Sequence, residues 1–288
     1  DTSGLLVLCT LGLVIWAYRL FPRRHSVRKA ALGSLAFTLV SSLIGAILVI
    51  SRWVVHDVSL GRAITMPLHL MNTFALMGSL ALGVHLAKGG RVASFAGNGA
   101  LAAAFKWTIG AFFLLGMTGA ISAMGKTAYS TSLASANTFF ERIQMHLGPN
   151  APALLKGGLL HPLMAMAAGL ILIFTCRLAS DRREEDPRVE LWAGRTVWLY
   201  VAQMAFGIAN LVASAPVWMQ LTHLALALFN WMALVMLAVH ALPKPAAVAA
   251  DGQTQTVTEK ADPRDLIKAY IALTKPRVVS LLLFTTVA

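Results

Sequence analysis

Acidic side chains are scarce in this chain: 12 Asp and Glu stand against 24 Lys and Arg, and none falls inside its long apolar runs. A zinc site within those runs would want three or four converging Cys, His or carboxylate ligands, so the missing carboxylates argue against one. Cysteine is rarer still. Cys9 and Cys176 both lie within apolar runs, where a thiol behaves as a small buried hydrophobe, and they indicate no disulfide framework. Charge of either sign is low at 12%, against 57% apolar residues and a mean hydropathy of +0.69, which excludes a soluble globule.

What is present is apolar sequence in runs long enough to cross a bilayer. A helix needs ~20 such residues to span ~30 Å of hydrocarbon. Seven stretches qualify, at about 3–20, 31–50, 67–87, 105–124, 160–178, 196–214 and 218–241, and an eighth begins near 277. The runs are long and rich in Leu, Ala, Val and Met, unlike the short alternating segments of a barrel, so the expected fold class is all-α, a polytopic transmembrane helical bundle. Basic residues in short loops stay on the cytoplasmic side. Placing residue 1 outside puts 19 of the 24 cations on inner segments and 5 (Arg52, Arg62, Lys126, Arg142 and Lys156) on outer ones. The +12 net charge therefore belongs to membrane borders rather than to a nucleic-acid face. This is the pattern of a multi-pass protein of a prokaryotic plasma membrane, in contact with lipid.

Residues 243–264, "PKPAAVAADGQTQTVTEKADPR", are polar and aperiodic and read as a cytoplasmic linker. They separate a bundle over 1–242 from a short segment over 265–288, and with residue 1 outside the whole of 243–276 is cytoplasmic. The chain opens "DTSGLL" without Met and stops within an apolar run, so both ends read as truncated. A weak repeat is visible inside the bundle. "LVSSLIGAILV" (39–49) with "PLHLMNTFALMGSLAL" (67–82) parallels "VAQMAFGIANLV" (201–212) with "QLTHLALALFNWMALVML" (220–237). The result is two four-helix halves with the first helix missing.

Of eight histidines, His25 falls in a basic inner loop and His56 and His146 in outer loops, where solvation accounts for them. His85 and His240 sit at inner span ends, at headgroup level. His69, His161 and His223 differ. Each lies within the first positions of the outer end of a span, at one expected depth, and polar rings within lipid usually serve a site. Pro162 suits a first helical turn and fixes His161 at the helix mouth. One or two axial imidazoles from facing helices suffice for haem. His161 and His223 would make such a pair, with Ala165, Ala168, Gly169, Ala225 and Ala227 leaving room for a flat macrocycle.

The stretches "TGAISAMGKTAYS" (118–130), "LLHPLMAMAAG" (159–169), "SLIGAILV" (42–49), "LHLMNTFAL" (68–76) and "LTHLALALFNW" (221–231) resemble the heme A synthase family over nearly all of 1–242. The tail "YIALTKPRVVSLLLFTTVA" (270–288) resembles the opening of heme O synthase, the protoheme IX farnesyltransferase, and so of a prenyltransferase domain in the same chain.

The resemblance implies an eight-helix bundle whose C-terminal half holds a haem b iron between His161 and His223. The N-terminal half binds the substrate, haem O, with His69 on its iron. A second substrate histidine and a Glu are expected upstream of Asp1, and a fragment without them would lack an intact catalytic half. Lys126 departs from the family, in which Asp is frequent at that position. The implied reaction is oxidation of a ring methyl of haem O to the formyl of haem A for cytochrome oxidase biogenesis, drawing on an electron donor that the sequence does not name. Two other readings stay open. A di-haem b-type electron carrier would use the pairs His69/His85 and His223/His240, and a cofactor-free assembly factor would use its histidines only for hydrogen bonds.

Overall fold

A computed structural model describes residues 2–53, 57–129, 139–182, 184, 186–213 and 216–242. His56, the linker 243–264 and the segment 265–288 lie outside them. The described residues form helices α1 (Thr2–Leu20), α2 (Ser26–Ile50), α3 (Leu60–Ala87), α4 (Gly99–Ala128), α5 (Phe139–Leu147), α6 (Ala153–Gly158), α7 (Leu160–Ser180), α8 (Arg188–Val212) and α9 (Val217–Ala241). Among them are no strands. Several helices outrun the expected spans by up to a turn or two at an end, because their borders carry on into flanking polar sequence.

Among the described residues, six helical segments are long and apolar enough to cross a membrane: α1, α2, α3, α4, the continuous α6–α7 segment and α9. The seventh expected span is α8, which at 25 residues is as long as α9. Arg195, Gln203 and Asn210 lower its hydropathy, and it falls outside those six. Two of these polar groups are turned inward: Gln203 and Asn210 are buried, and Asn210 Nδ2 donates to the Met219 carbonyl of α9 at 3.2 Å.

Two loop histidines take structural duties that the sequence reading did not assign. His25 is the N-cap of α2, its Nδ1 accepting from Val27 N–H at 3.3 Å, and its ring stacks on Phe21 at 4.8 Å. His146 lies in α5 rather than in an irregular loop.

The helices pair in sequence order. α2 packs extensively on α3 and α8 on α9, while α4 packs on α7, so each half is built from neighbouring antiparallel spans. Lipid supplies no hydrophobic drive between helices, and these contacts depend instead on small residues and buried hydrogen bonds. Ser34 and Ser79 hydroxyls meet at 2.9 Å between α2 and α3, and Asn72 Nδ2 donates to the Phe37 carbonyl and to Ser41 Oγ. Thr108 and Thr175, both fully buried, meet at 2.7 Å between α4 and α7. The halves join through α3 and α9, where Trp231 stacks on Phe74 and its indole N–H donates to the Phe74 carbonyl at 2.6 Å. A Cβ on Gly78 would stand 3.0 Å from that indole nitrogen, so glycine there lets the ring in. Large apolar side chains such as Leu8, Trp107, Leu170 and Trp198 remain on the outside, as a lipid-facing surface requires.

Replacing Trp231 by Phe keeps the stacking area and deletes the buried donor. It is expected to destabilise the helical bundle by about 1–2 kcal/mol, read as a lower denaturant midpoint in detergent. An unchanged midpoint would show that the indole hydrogen bond does not hold the halves together.

Candidate functional site at the outer ends of the helices

His161 is the second residue of α7, immediately after the joint at Leu159 that ends α6 and begins α7. Pro162 lies in the same first turn, where its missing N–H leaves no helical bond unmade. His223 sits in the second turn of α9, which starts after Pro216. The fold turns these two rings toward each other, with centroids 6.4 Å apart and planes at 86°. Both are half-buried.

Each ring is backed by a glycine from a neighbouring helix. A Cβ on Gly119 of α4 would stand 3.0 Å from His161 Cε1, and one on Gly207 of α8 would stand 3.1 Å from His223 Cε1. Thr118 Oγ1 approaches His161 Nδ1 at 3.4 Å, which orients that ring. The buried Nδ1 of His223 has no hydrogen-bond partner. Four helices thus supply the site: α7 and α9 the imidazoles, α4 and α8 the glycine floors. Sequence pattern had singled out the rings and missed Thr118, Gly119 and Gly207, although all three fall in stretches whose small residues were visible.

Among the described residues, no group of three or more His, Cys, Asp or Glu could hold a metal ion by itself. Two facing imidazoles with open nitrogens suit a metal that arrives with its other ligands already in place. Their centroid separation is about what an ion between them requires, from two metal–nitrogen bonds of roughly 2 Å and two ring radii of roughly 1.2 Å.

His69 is half-buried on α3, with its Nδ1 enclosed and lacking a partner; its carbonyl accepts from Thr73 Oγ1 at 3.0 Å. Its helix reaches the same neighbourhood, since Leu70 and Phe74 pack over Gly116 of α4, one turn before Gly119. Among the described residues, no second ring stacks with it.

His69 and His85 lie sixteen residues apart on α3, and His223 and His240 seventeen apart on α9, so each helix carries one histidine toward each end. His85 and His240 meet each other edge-on, with centroids 5.1 Å apart. His240 Nδ1 stands 2.8 Å from Asp186 Oδ2 in the turn between α7 and α8, and Asp186 Oδ1 also accepts from Arg188 at 2.9 Å. Gly90 is required here, because a Cβ would stand 2.2 Å from His85 Nε2. Partial burial of Asp186 opposes ionisation, but hydrogen bonds from Arg188 and His240 prevail and hold its carboxyl at about 2. This inner clasp ties α3 to α9 at the opposite end of the helices. An apolar cavity of about 250 Å³, lined by Leu82, Phe95, Ile109, Trp231 and Val239, opens toward the same end of α9 and does not include the imidazole pair.

The family described as COX15-CtaA, cytochrome oxidase assembly protein, matches residues 1–235. Two proteins described as protoheme IX farnesyltransferase, from two strains of Thermus thermophilus, are each 37% identical over 284 residues, covering 99% of this chain and 46% of theirs. A protein of the same description from a Roseiflexus species is 38% identical over 122 residues, 37% of this chain and 22% of its own length. The chain thus spans about half the length of the Thermus relatives. No solved structure matches it.

Because the folded carboxyl of Asp186 lies below the ordinary aspartate value of 3.8, the clasp contributes fully above about pH 4 and is lost as pH falls toward about 2. The protein is expected to lose thermal stability through that window, and the D186N variant to lose less of it there. Parallel acid profiles for the two would show that the carboxylate does not hold the inner ends together.

Proposed function

This chain belongs to the COX15-CtaA family of cytochrome oxidase assembly proteins, and from that premise we propose that it is the heme A synthase portion of a heme A synthase and heme O synthase fusion. It oxidises a ring methyl of haem O to the formyl of haem A. The observation that carries this reading is the pair of imidazoles from α7 and α9, facing each other across 6.4 Å with a glycine behind each.

The residues present fit a haem b. His161 and His223, facing each other with His223 Nδ1 unpartnered, would hold such a group through its iron. His161 and His223 would be its axial ligands. Bound there, such a group would supply electron transfer. The role of this chain's residues there is to orient: Thr118 sets the His161 ring, Gly119 and Gly207 admit the two imidazoles, and the surrounding apolar helices exclude water.

Substrate oxidation then belongs to the N-terminal half, where His69 would hold the iron of haem O. Two successive hydroxylations of the methyl carbon, each taking one atom of dioxygen while the other leaves as water with two electrons and two protons from an external donor, would give a gem-diol that loses water to the aldehyde. The relatives' description as protoheme IX farnesyltransferase supports a second assignment, that residues 265–288 open a prenyltransferase domain whose product is the haem O consumed by the first. The domain limits follow from composition: bundle over 1–242, linker over 243–264. The protein is a multi-pass membrane protein. The split of 19 cations against 5 supports a prokaryotic plasma membrane, with residue 1 outside and 243–276 in the cytoplasm.

Replacing His161 or His223 by Ala is expected to abolish the absorbance of a six-coordinate b-type haem in the purified protein, while His69→Ala leaves that spectrum intact. A normal bis-imidazole spectrum in either of the first two variants would overturn the assignment.

A further inference from the structure

Lys126 is the one lysine of α4 within two turns of the residues that face His161. That face is laid out by its contacts: Thr118 and Gly119 meet His161, Ser122 meets Gly158, and Gly125 packs against the backbone of Leu154 and Leu155. Lys126 falls seven residues after Gly119, back on the same stripe, about 10 Å further along the axis. A helical side chain leans toward its own helix's N-terminus, so the Lys126 stem runs back along α4 toward the level of His161.

The ammonium is half-buried, and it acts electrostatically on both His161 and His223. Among the described residues it forms no ion pair, and no acidic group acts on it. A cation in that position is costly unless it is matched by an anion. With no carboxylate from the protein, the site is built for one that a ligand brings.

We propose that Lys126 binds a propionate carboxylate of the tetrapyrrole held between His161 and His223. The inference rests on the haem assignment above and adds to it the recognition of the ligand's acidic edge. A fixed positive charge beside the haem disfavours the ferric state, so Lys126 also raises the midpoint potential of that iron.

The test uses the full chain, purified and loaded either with protohaem or with protohaem dimethyl ester, which lacks the two negative charges. Wild type is expected to hold protohaem roughly tenfold more tightly than the diester. In K126M that preference should collapse, with the bis-imidazole spectrum retained and the midpoint potential moved to more negative values, and K126R should restore both. If wild type binds haem through two imidazoles but does not discriminate the diester, the Lys126 proposal falls and the haem assignment stands. The same holds if K126M discriminates and titrates as wild type does. Absence of a bis-imidazole haem from wild type would overturn the underlying assignment and this proposal with it. The wild-type comparison of the two porphyrins decides the question even if K126M fails to fold.

Discussion

An imidazole set among apolar helices has no water to satisfy its nitrogens, and that constraint organises the outer half of this molecule. His161 and His223 are brought into register by two separate devices. Pro162 and the Leu159 joint fix the start of α7, and Pro216 fixes the start of α9. The approach is possible only because α4 and α8 present glycine where each ring lies. The rest of the bundle serves to hold four helix ends at one depth. Threonine and serine pairs and the Trp231 hydrogen bond do so without the hydrophobic drive that a soluble core would provide.

The two ends of the bundle solve the same problem differently. At the inner end His85 and His240 also meet, yet a carboxylate is at hand, and Asp186 takes up His240 and Arg188 in a closed network. His85 Nε2 is nevertheless buried there without a hydrogen-bond partner. At the outer end no carboxylate is set against the rings, the nearest charge is the Lys126 ammonium, and His223 retains an unpartnered nitrogen. We read the outer pair, with centroids 6.4 Å apart, as the proposed binding site and the inner pair, closed to 5.1 Å and tied to Asp186, as a structural clasp.

Much of this was legible in the sequence, for physical reasons. Span length and hydropathy determine helices in lipid almost alone, so the bundle and the depth of the three outer histidines could be read from apolar runs and basic borders. The polar span α8 was still recognisable, because its residues around Arg195 and Gln203 interrupt an otherwise apolar run. Contacts between helices were not legible. Nothing in the spacing of His85 and His240 says that they converge, since the pairing depends on α3 crossing α9 and on the turn that carries Asp186. The N-cap role of His25 and the glycine floors at 119 and 207 were hidden for the same reason, being set by which helix lies opposite rather than by local pattern. The residues over 243–288 carry the second resemblance and lie outside the described structure.

The central claim, that an iron sits between His161 and His223, is tested most directly by electron paramagnetic resonance of the oxidised, purified protein. Imidazole planes close to perpendicular, as the 86° between these rings implies, predict a low-spin ferric haem with a strongly anisotropic spectrum dominated by a single low-field feature. A high-spin signal, or no haem signal at all, would contradict the account.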